Sequence, residues 1–274
     1  MGKNEKLVLV KLGGSVITNK DKPLSPNLRN IGNISKQLAR ALKEDKTLRL
    51  VLIHGGGSFG HYYAKKFGLG TRITQSTSPE GLACTSMAMI KLHSILLKEL
   101  CRAGVYCGTI LPIELFSMLN NPILITEAGR RRVDSLFDNG LVPITFGFVN
   151  LEGKNSYVIS GDTISLALAS SFPISKTIFV MDVDGVFPSS KLKGTIVKDL
   201  ARENFSVEGS VQKFDVTGGI KSKISTGFEI ADRGSDVYFV NGAKPSRLLR
   251  VFQDSNRVVA TRIYSTKKSA SYSG

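Results

Sequence analysis

The chain has 274 residues, of which 37 are lysine or arginine and 22 are aspartate or glutamate, so its formal net charge is +15. Hydrophobic residues make up 42% of the chain and charged residues 22%, which is typical of globular proteins and excludes a fibrous or wholly disordered chain. No uninterrupted apolar run reaches the roughly 18 residues of a membrane-spanning helix. Lys11 interrupts the apolar run near the N-terminus, so we interpret that run as a first strand and not as a signal peptide.

Short runs rich in valine, isoleucine and leucine alternate along the chain with longer segments of helical periodicity. Continuous apolar runs are typical of strands buried on both faces of a parallel sheet. The predicted strands cover residues 7–11, 48–53, 105–110, 123–126, 142–146, 157–159, 177–181, 237–240 and 259–264. The predicted helices cover residues 26–44, 79–102, 161–171, 218–233 and 245–252. This alternation predicts an α/β fold, a three-layer αβα sandwich on a mainly parallel sheet.

A single domain with two lobes is expected for residues 1–274, because the chain contains no internal repeat and no low-complexity linker. The softest boundary is the polar stretch 150–156. It is either a hairpin or the junction between an N-terminal lobe of about residues 1–155 and a C-terminal lobe of about residues 156–264.

Cysteine and histidine usage gives no sign of a disulfide framework or of a metal site. The three cysteines, Cys84, Cys101 and Cys107, are odd in number and include no C-x-x-C pair, which indicates a reducing, cytoplasmic location. The three histidines also lack metal-ligand spacing. We therefore expect no metal ion held by protein side chains alone.

The positive charge is compatible with three kinds of partner: nucleic acid, an acidic membrane surface, or small anionic substrates. Basic residues are scattered along the chain, and clusters such as Arg130-Arg131-Arg132 are short. The sequence contains no nucleic-acid-binding module signature. We therefore expect a small anionic ligand, with neither a nucleic acid nor a membrane as partner.

The first predicted strand runs into a glycine turn, Lys11-Leu12-Gly13-Gly14-Ser15. Paired glycines let backbone N–H groups approach an anion, and the lysine supplies charge. The turn is not a Walker A loop, because G-x-x-x-x-G-K-[ST] does not occur in the chain. The alternative is a simple glycine turn with a lysine at the strand end.

The second predicted strand is followed by HGGGSFGH, residues 54–61, and then by a segment that we expect to be helical. A glycine-rich turn that opens a helix presents amides where anions are stabilised. Gly55, Gly57 and Gly60 also satisfy G-x-G-x-x-G, but no strand ending in an acidic residue follows at the spacing of a dinucleotide-binding unit. His61 could donate a hydrogen bond to a phosphate oxygen, or simply cap or pack the helix.

Three further turns carry polar residues at predicted strand ends or helix starts. They are Ser160-Gly161-Asp162, the segment from Asp182 to Phe187, and the segment from Asp215 to Lys223. Asp162 could be no more than a helix N-cap. Glycines and lysines at the carboxyl ends of several parallel strands nevertheless indicate a cleft for a polyanion at that edge of the sheet.

KLGGS, HGGGSFGH, SGD, DVDGVF and DVTGGIKSK occur in the order and spacing of the amino acid kinase superfamily, which the chain resembles from residue 7 to about residue 264. Within the superfamily, GSFGH with His61 resembles the branch that phosphorylates isopentenyl phosphate to isopentenyl diphosphate, and fosfomycin kinases share this histidine. The resemblance implies ATP and Mg²⁺ as cofactors, an N-terminal acceptor lobe, a C-terminal nucleotide lobe and a homodimer.

The resemblance also implies a catalytic set of three lysines, one aspartate and His61. Lys11 and Lys223 would hold the ATP phosphates, and Lys20 would stabilise the phosphoryl group in transit. Lys221 is a neighbouring candidate for the role of Lys223. Asp162 would hold the lysines in place by ion pairing.

The remaining motif residues divide between the two ligands that the resemblance implies. On the ATP side they are Lys11, Gly13, Gly14, Ser15, Gly57, Asp182, Asp184, Gly185, Gly218 and Lys223. On the acceptor side they are Gly55, Gly56, His61, Gly147 and Gly161. His61 would clamp the acceptor phosphate, which needs no general base because its second pKa is near 6.

One position departs from the superfamily pattern: Phe148 follows Gly147 where relatives often have an aspartate. A hydrocarbon acceptor also needs an apolar wall, for which the helix at 79–102 offers Ala83, Met87, Met89 and Ile90, although core packing is the favoured interpretation of each residue taken singly. Two alternatives stay open: a fosfomycin-type phosphonate kinase, and a non-catalytic protein that binds nucleotides or nucleic acid.

Overall fold

The computed structural model describes residues 5–69, 74–75, 78–117, 124–152, 155–187, 195–202, 218–244, 246–255 and 257–265. The strands of these residues are β1 (Lys6–Leu12), β2 (Leu48–His54), β3 (Thr74–Gln75), β4 (Cys107–Thr109), β5 (Phe116–Ser117), β6 (Leu124–Ile125), β7 (Val142–Phe146), β8 (Phe148–Glu152), β9 (Asn155–Ile159), β10 (Lys176–Met181), β11 (Asp236–Asn241) and β12 (Ala260–Ile263). The helices are α1 (Gly14–Ile17), α2 (Leu28–Glu44), α3 (Gly57–Lys66), α4 (Pro79–Arg102), α5 (Pro112–Leu115), α6 (Glu127–Asp138), α7 (Gly161–Ser171), α8 (Gly218–Ala231) and α9 (Arg247–Phe252).

A seven-stranded sheet forms the middle layer, in the order β12-β11-β10-β1-β2-β7-β4. Its pairs are parallel, except that the edge strand β12 runs antiparallel to β11. The predicted α/β fold with a mainly parallel sheet is therefore confirmed. Because parallel strands end at the same edge, the carboxyl ends of β1, β2, β7 and β10 lie side by side.

Helices cover both faces of the sheet, as the side chains of β1 illustrate. Leu7 and Leu9 point into one core with Val133 of α6, Ile164 of α7 and Ile224 of α8. The intervening Val8, Val10 and Leu12 point into the other core, which α2, α4 and α9 cover. Alternation along a strand therefore decides which helical layer each side chain meets. Lys11 falls on the α7 side and His54, by the same alternation along β2, on the α4 side.

Two smaller sheets hold the predicted strands that the main sheet does not use. The predicted strand at 157–159 is part of β9, which pairs antiparallel with β8 and β3. The polar stretch at 150–156 is thus a hairpin, of which residues 153–154 lie outside the described part. The predicted strand at 123–126 is the short β6, which pairs with β5, and residue 123 is not described.

Helix α6 was not predicted, although it contains the arginine cluster. Thr126 caps it by accepting the Gly129 N–H at 2.9 Å, and Val133 and Phe137 are buried. Arg130 donates to the Ser171 carbonyl at the end of α7, so one arginine of the cluster serves the fold. Among the described residues, no helix is both long enough and apolar enough to cross a bilayer.

Candidate active site

A cleft of about 750 Å³ lies over the carboxyl ends of β1, β2, β7 and β10. Most of the residues that the sequence singled out line it. They are Lys11, Gly13, Gly14, Ser15, Lys20, Gly55, Gly56, Gly57, His61, Gly147, Gly161, Asp162, Asp182 and Lys223. Residues far apart in the sequence thus meet in one concave site, which is the usual place for a ligand in an open α/β sheet.

The two glycine turns at the end of β1 and β2 touch each other. A Cβ on Gly14 would lie 2.1 Å from the backbone nitrogen of Gly57, so a side chain cannot be accommodated there. Gly57 also has a φ of +47°, which L side chains rarely adopt. Glycine at these positions therefore brings two amide-rich turns together at one wall of the cleft.

Thr18 links the two turns by hydrogen bonds, a role that no motif in the sequence indicates. Its hydroxyl donates to the Gly14 carbonyl at 2.7 Å and accepts the Ser58 N–H at 2.9 Å. The bridge thereby joins the turn after β1 to the N-terminus of α3, where the helix dipole favours negative charge. A side-chain bridge between two distant turns has no local sequence signature.

Asp162 joins two lysines at the centre of the cleft. Its Oδ1 lies 2.8 Å from Lys11 Nζ, and its Oδ2 lies 2.7 Å from Lys223 Nζ. The cap of α7 is instead Ser160, whose hydroxyl accepts the Thr163 N–H at 3.0 Å. The alternative that Asp162 serves only as a helix cap is therefore wrong.

The ionisation of this cluster follows from burial and from the shared charge. Burial raises the pKa of Asp162, but the attraction and hydrogen bonds of Lys11 and Lys223 outweigh it and leave the pKa below its usual range. Burial lowers the pKa of Lys11, and the charge of Lys223 adds to this, while Asp162 opposes both. The carboxylate is therefore ionised and partly balances two cations.

A second ion pair stands at the mouth of the cleft. Lys20 Nζ lies 2.5 Å from Asp182 Oδ2, and the Ser15 hydroxyl donates to Asp182 Oδ1 at 2.7 Å. Burial raises the pKa of Asp182, but the hydrogen bonds from Lys20 and Ser15, together with the charge of Lys20, outweigh burial and leave the pKa below its usual value. The Lys20 side chain is 62% exposed, so it remains free to move toward an incoming anion.

His61 projects from the second turn of α3 and lines the cleft beside the lysines. Partial burial lowers its pKa, and the positive charges of Lys223 and Lys11 lower it further. The imidazole is therefore neutral near pH 7 without a ligand. A neutral imidazole still offers one N–H donor to a phosphate oxygen.

An apolar wall adjoins His61. Its residues come from α3, the turn that follows α3, α4 and the small sheet, and include Ala64, Leu69, Met89, Phe148, Val149 and Val158. Of the four α4 residues that the sequence suggested, only Met89 lies there. Met87 and Ile90 are 60% and 52% exposed, and Ala83 does not line the cleft, so that part of the expectation is wrong.

Two predicted nucleotide-side residues, Asp184 and Gly185, do not line the cleft. Asp184 accepts from Asn241 Nδ2 at 2.7 Å and pairs with Arg247 at 2.7 Å, which ties the loop after β10 to the end of β11. Gly185 packs against Thr261, whose Oγ1 would lie 2.7 Å from an added Cβ. Gly218 begins α8.

Lys221 and Lys223 are both on α8, but the helix separates them. Lys223 lines the cleft and pairs with Asp162, whereas Lys221 does not line it. Residues two apart on a helix do not face the same side. This geometry distinguishes the two lysines, which the sequence could rank only through the superfamily spacing.

Comparisons with known proteins agree with this architecture. A profile of the amino acid kinase family matches residues 6–241. An isopentenyl phosphate kinase of Methanocaldococcus jannaschii is 29% identical in an alignment of 252 positions, gaps included, that covers 89% of this chain and 94% of that protein. An acetylglutamate kinase of Chlorobaculum tepidum is 28% identical in an alignment of 275 positions, gaps included, that covers 94% of this chain and 90% of that protein.

The fold is also that of solved structures. A product complex of Thermoplasma acidophilum isopentenyl phosphate kinase superposes with a TM-score of 0.75 at 23% identity, covering 94% of this chain and all of that chain. The family profile spans most of this chain, and the glycine turns and lysines that it covers form one cleft. The chain therefore belongs to the amino acid kinase family.

Proposed function

We propose that this kinase transfers the γ-phosphoryl group of ATP to isopentenyl phosphate and forms isopentenyl diphosphate. The observation that carries the proposal is the adjacency, in one cleft, of the Lys11–Asp162–Lys223 cluster, His61 and an apolar wall. The lysine cluster suits a triphosphate, His61 suits the phosphate of an acceptor, and the apolar wall suits a hydrocarbon tail. Relatives described as isopentenyl phosphate kinases support this substrate.

Both ligands are anions, so their mutual repulsion is the main obstacle to the reaction. Among the described residues, the charged side chains that line the cleft are three lysines, Lys11, Lys20 and Lys223, and two aspartates, Asp162 and Asp182. Backbone amides of the two glycine turns add further positive ends of dipoles. Phosphoryl transfer depends mostly on such positioning and charge stabilisation.

The acceptor phosphate supplies its own nucleophilic oxygen. With a second pKa near 6, it is already largely ionised at pH 7, so the site needs no general base. His61 then acts by binding: its imidazole N–H donates to the acceptor phosphate and holds the attacking oxygen in line with the γ-phosphorus. The lowered pKa of His61 suits a neutral donor before the phosphate arrives.

Phe148 and Met89 make the acceptor side suitable for a hydrocarbon. Phe148 lies edge-on to Phe146, with ring centroids 5.5 Å apart, and both Phe148 and Met89 line the cleft. An aspartate at position 148 would place a charge there instead. The apolar wall therefore favours a phosphate with an apolar tail over an acceptor that carries a free carboxylate.

Mg²⁺ fits this site as an ion that ATP brings with it. Among the described residues, no group of three acidic, histidine or cysteine side chains is arranged to hold a metal. Mg²⁺ is commonly held by substrate phosphates together with one or two carboxylates. Asp182, which lines the cleft and pairs with Lys20, is the carboxylate that would join such an ion. When bound, the ion neutralises developing charge on the phosphates.

A panel of acceptors tests the proposal. ADP release from ATP·Mg²⁺ would be measured with isopentenyl phosphate, isopentenol, fosfomycin and N-acetylglutamate. We expect kcat/KM for isopentenyl phosphate to exceed each of the others by at least about a hundredfold, because only this acceptor uses both His61 and the apolar wall. A higher kcat/KM for fosfomycin or N-acetylglutamate would overturn the substrate assignment.

A further inference from the structure

A pair of buried histidines lies directly under the second glycine turn. His54 ends β2 and is fully buried, and His93 on α4 is 6% exposed. Both rings stack on Phe146, with centroid distances of 5.0 Å and 4.4 Å. Neither histidine lines the cleft, so the proposed phosphoryl transfer leaves their role unexplained.

The partners of the two histidines determine which ring nitrogens donate and which accept hydrogen bonds. His54 Nδ1 lies 3.1 Å from the Gly55 carbonyl oxygen, which only accepts, so Nδ1 carries the proton. His54 Nε2 is then an acceptor for His93 Nδ1–H at 3.0 Å. His93 Nε2 in turn accepts from the Thr109 hydroxyl at 2.8 Å.

We propose that Thr109, His93 and His54 form a positioning relay that fixes the Gly55 carbonyl and thereby turns the Gly56 N–H toward the acceptor phosphate. The C=O of Gly55 and the N–H of Gly56 belong to one peptide unit, and in a trans peptide they point in opposite directions. With the carbonyl held against the buried ring, the N–H points to the other side, where Gly56 lines the cleft. The assignment of the phosphate rests on the proposed function.

The surroundings of Gly56 leave its amide available. Within the described part of the chain, the Gly56 N–H has no hydrogen-bond acceptor, whereas the preceding Gly55 N–H donates to Leu12 O at 2.9 Å. Met89, one helical turn before His93, packs its sulfur against this glycine, because a Cβ on Gly56 would lie 2.9 Å from Met89 Sδ. The same face of α4 thus supports the turn from below and positions its amide.

The relay also reaches the next glycine turn of the cleft. The His54 carbonyl accepts the Gly147 N–H at 3.1 Å, and Phe146, which both histidines stack on, precedes that glycine. The neutral state that the relay needs is favoured, because burial lowers the pKa of His54 to about 3 and of His93 to about 4. A charged imidazolium would place two donors where the relay has one donor and one acceptor.

Nitrogen NMR of the histidine rings tests the relay without any substrate. Free imidazole prefers the proton on Nε2, whereas the relay requires it on Nδ1 in both His54 and His93. With only three histidines in the chain, ¹⁵N–¹H correlation spectra of the full-length protein, assigned with His61→Ala, report each tautomer directly. Nδ1–H on both buried rings is the expected result, and Nε2–H on His54 would overturn the relay.

Kinetics with isopentenyl phosphate test the positioning role. Thr109→Val removes the hydroxyl that fixes the direction of the relay, and Thr109→Ser keeps it. We expect Thr109→Val to raise the KM for the acceptor about fivefold, as expected for one weakened hydrogen bond, with kcat and the KM for ATP nearly unchanged. Thr109→Ser should match the wild type.

A second pair of variants distinguishes a lost hydrogen bond from a simple loss of packing. His93→Asn retains an N–H near the position of Nδ1, and His93→Leu does not. Partial recovery of the acceptor KM in His93→Asn relative to His93→Leu supports the relay. Equal KM values for the acceptor in Thr109→Val and wild type would overturn the positioning role. If isopentenyl phosphate is not turned over at all, the proposed function fails, while the tautomers still decide the relay.

Discussion

Lys11 Nζ lies 2.8 Å from Asp162 Oδ1, and the two side chains are only 6% and 13% exposed. The pair joins the end of the central strand β1 to the first turn of α7. Lys223 of α8 shares the second carboxylate oxygen, so two cations meet one anion in a mostly buried place. Such a cluster holds an excess of positive charge ready for a phosphate, at a position that the backbone fixes.

Replacing Asp162 should destabilise the protein, because Asp162→Asn leaves two cations close together without their counter-charge. We expect a loss of about 3 kcal/mol of unfolding free energy, typical of a broken buried ion pair. Urea unfolding measures it. Asp232→Asn is the matched control, since Asp232 pairs with Arg202 at the surface and such pairs contribute about 0–1 kcal/mol.

The same variant should respond more strongly to ATP than the wild type does. A bound phosphate would replace the missing negative charge, so ATP should raise the melting temperature of Asp162→Asn by more than that of the wild type. An Asp162→Asn protein as stable as Asp232→Asn, with no larger response to ATP, would show that the cluster carries no excess charge.

Lys223 and Lys221 provide a matched pair on one helix. Lys223→Ala should lower kcat/KM for ATP by about a hundredfold, because it removes a cation that touches the cleft cluster. Lys221→Ala should change the value less than about threefold, since surface lysines away from a site contribute little. Steady-state kinetics with varied ATP separates the two, and equal losses would contradict the geometry.

Lys20 should act on the transition state more than on binding. Its flexible, exposed side chain is held by Asp182 when no ligand is bound, and it can follow the phosphoryl group as charge shifts. We expect Lys20→Ala to lower kcat about a hundredfold with a smaller change in the KM for ATP. The control is Lys22→Ala, an exposed lysine that does not line the cleft, and a pure KM effect at Lys20 would argue against this role.

His61 should matter for the acceptor and not for the nucleotide. His61→Ala is expected to lower kcat/KM for isopentenyl phosphate about a hundredfold or more, while calorimetry should find the dissociation constant for ATP within about threefold of the wild-type value. His61→Gln, which retains an N–H donor, should recover part of the activity. Near-normal use of the acceptor by His61→Ala would remove the phosphate clamp from the mechanism.

Stability should fall in mild acid because of the buried histidine pair. In the folded state the pKa values of His54 and His93 are lowered from 6.5 to about 3 and about 4, so the unfolded chain binds more protons as the pH drops below 6.5. Stability is therefore full above pH 6.5 and is lost progressively toward pH 4. His61, whose pKa is also lowered, acts in the same direction.

Urea unfolding between pH 7 and pH 5 measures this dependence. The aspartates with lowered pKa values, Asp162, Asp182 and Asp184, lose their contribution only as the pH falls below their usual value of 3.8, outside this window. His93→Leu should therefore flatten the slope. A wild-type stability that stays constant from pH 7 to pH 5 would contradict the buried, neutral histidines.

The sequence predicted the main sheet well because its strands are continuous apolar runs. Residues 7–11 and 48–53 are such runs, and continuous apolar runs of this length are typical of strands whose two faces are both buried in a parallel sheet. Helix α6 escaped prediction because Gly129 and three arginines obscure its apolar spacing, although the cap at Thr126 and the buried Val133 and Phe137 were available signals. Tertiary packing of those two residues outweighs the weak local propensity.

The site residues that could be predicted from the sequence are those whose residue type itself indicates a role. Glycines at close backbone contacts and lysines at strand ends form motifs that can be recognised in the sequence, as at Gly14 and Lys11. No such motif indicates that Thr18 bridges two turns or that Asp184 pairs with Arg247 outside the cleft. Each depends on a partner 40 or more residues away, the Ser58 N–H for Thr18 and the Arg247 side chain for Asp184, which periodicity and spacing do not reveal.

The most direct test of the account is ³¹P NMR of the wild-type protein with ATP, Mg²⁺ and isopentenyl phosphate in one sample. The account predicts that the monophosphate signal of the acceptor disappears while ADP and a new diphosphate form in equal amounts, and that Lys11→Ala stops the conversion. ATP that stays intact, or is split to ADP and inorganic phosphate without a diphosphate product, would contradict the claim that the cleft brings two phosphates together for transfer.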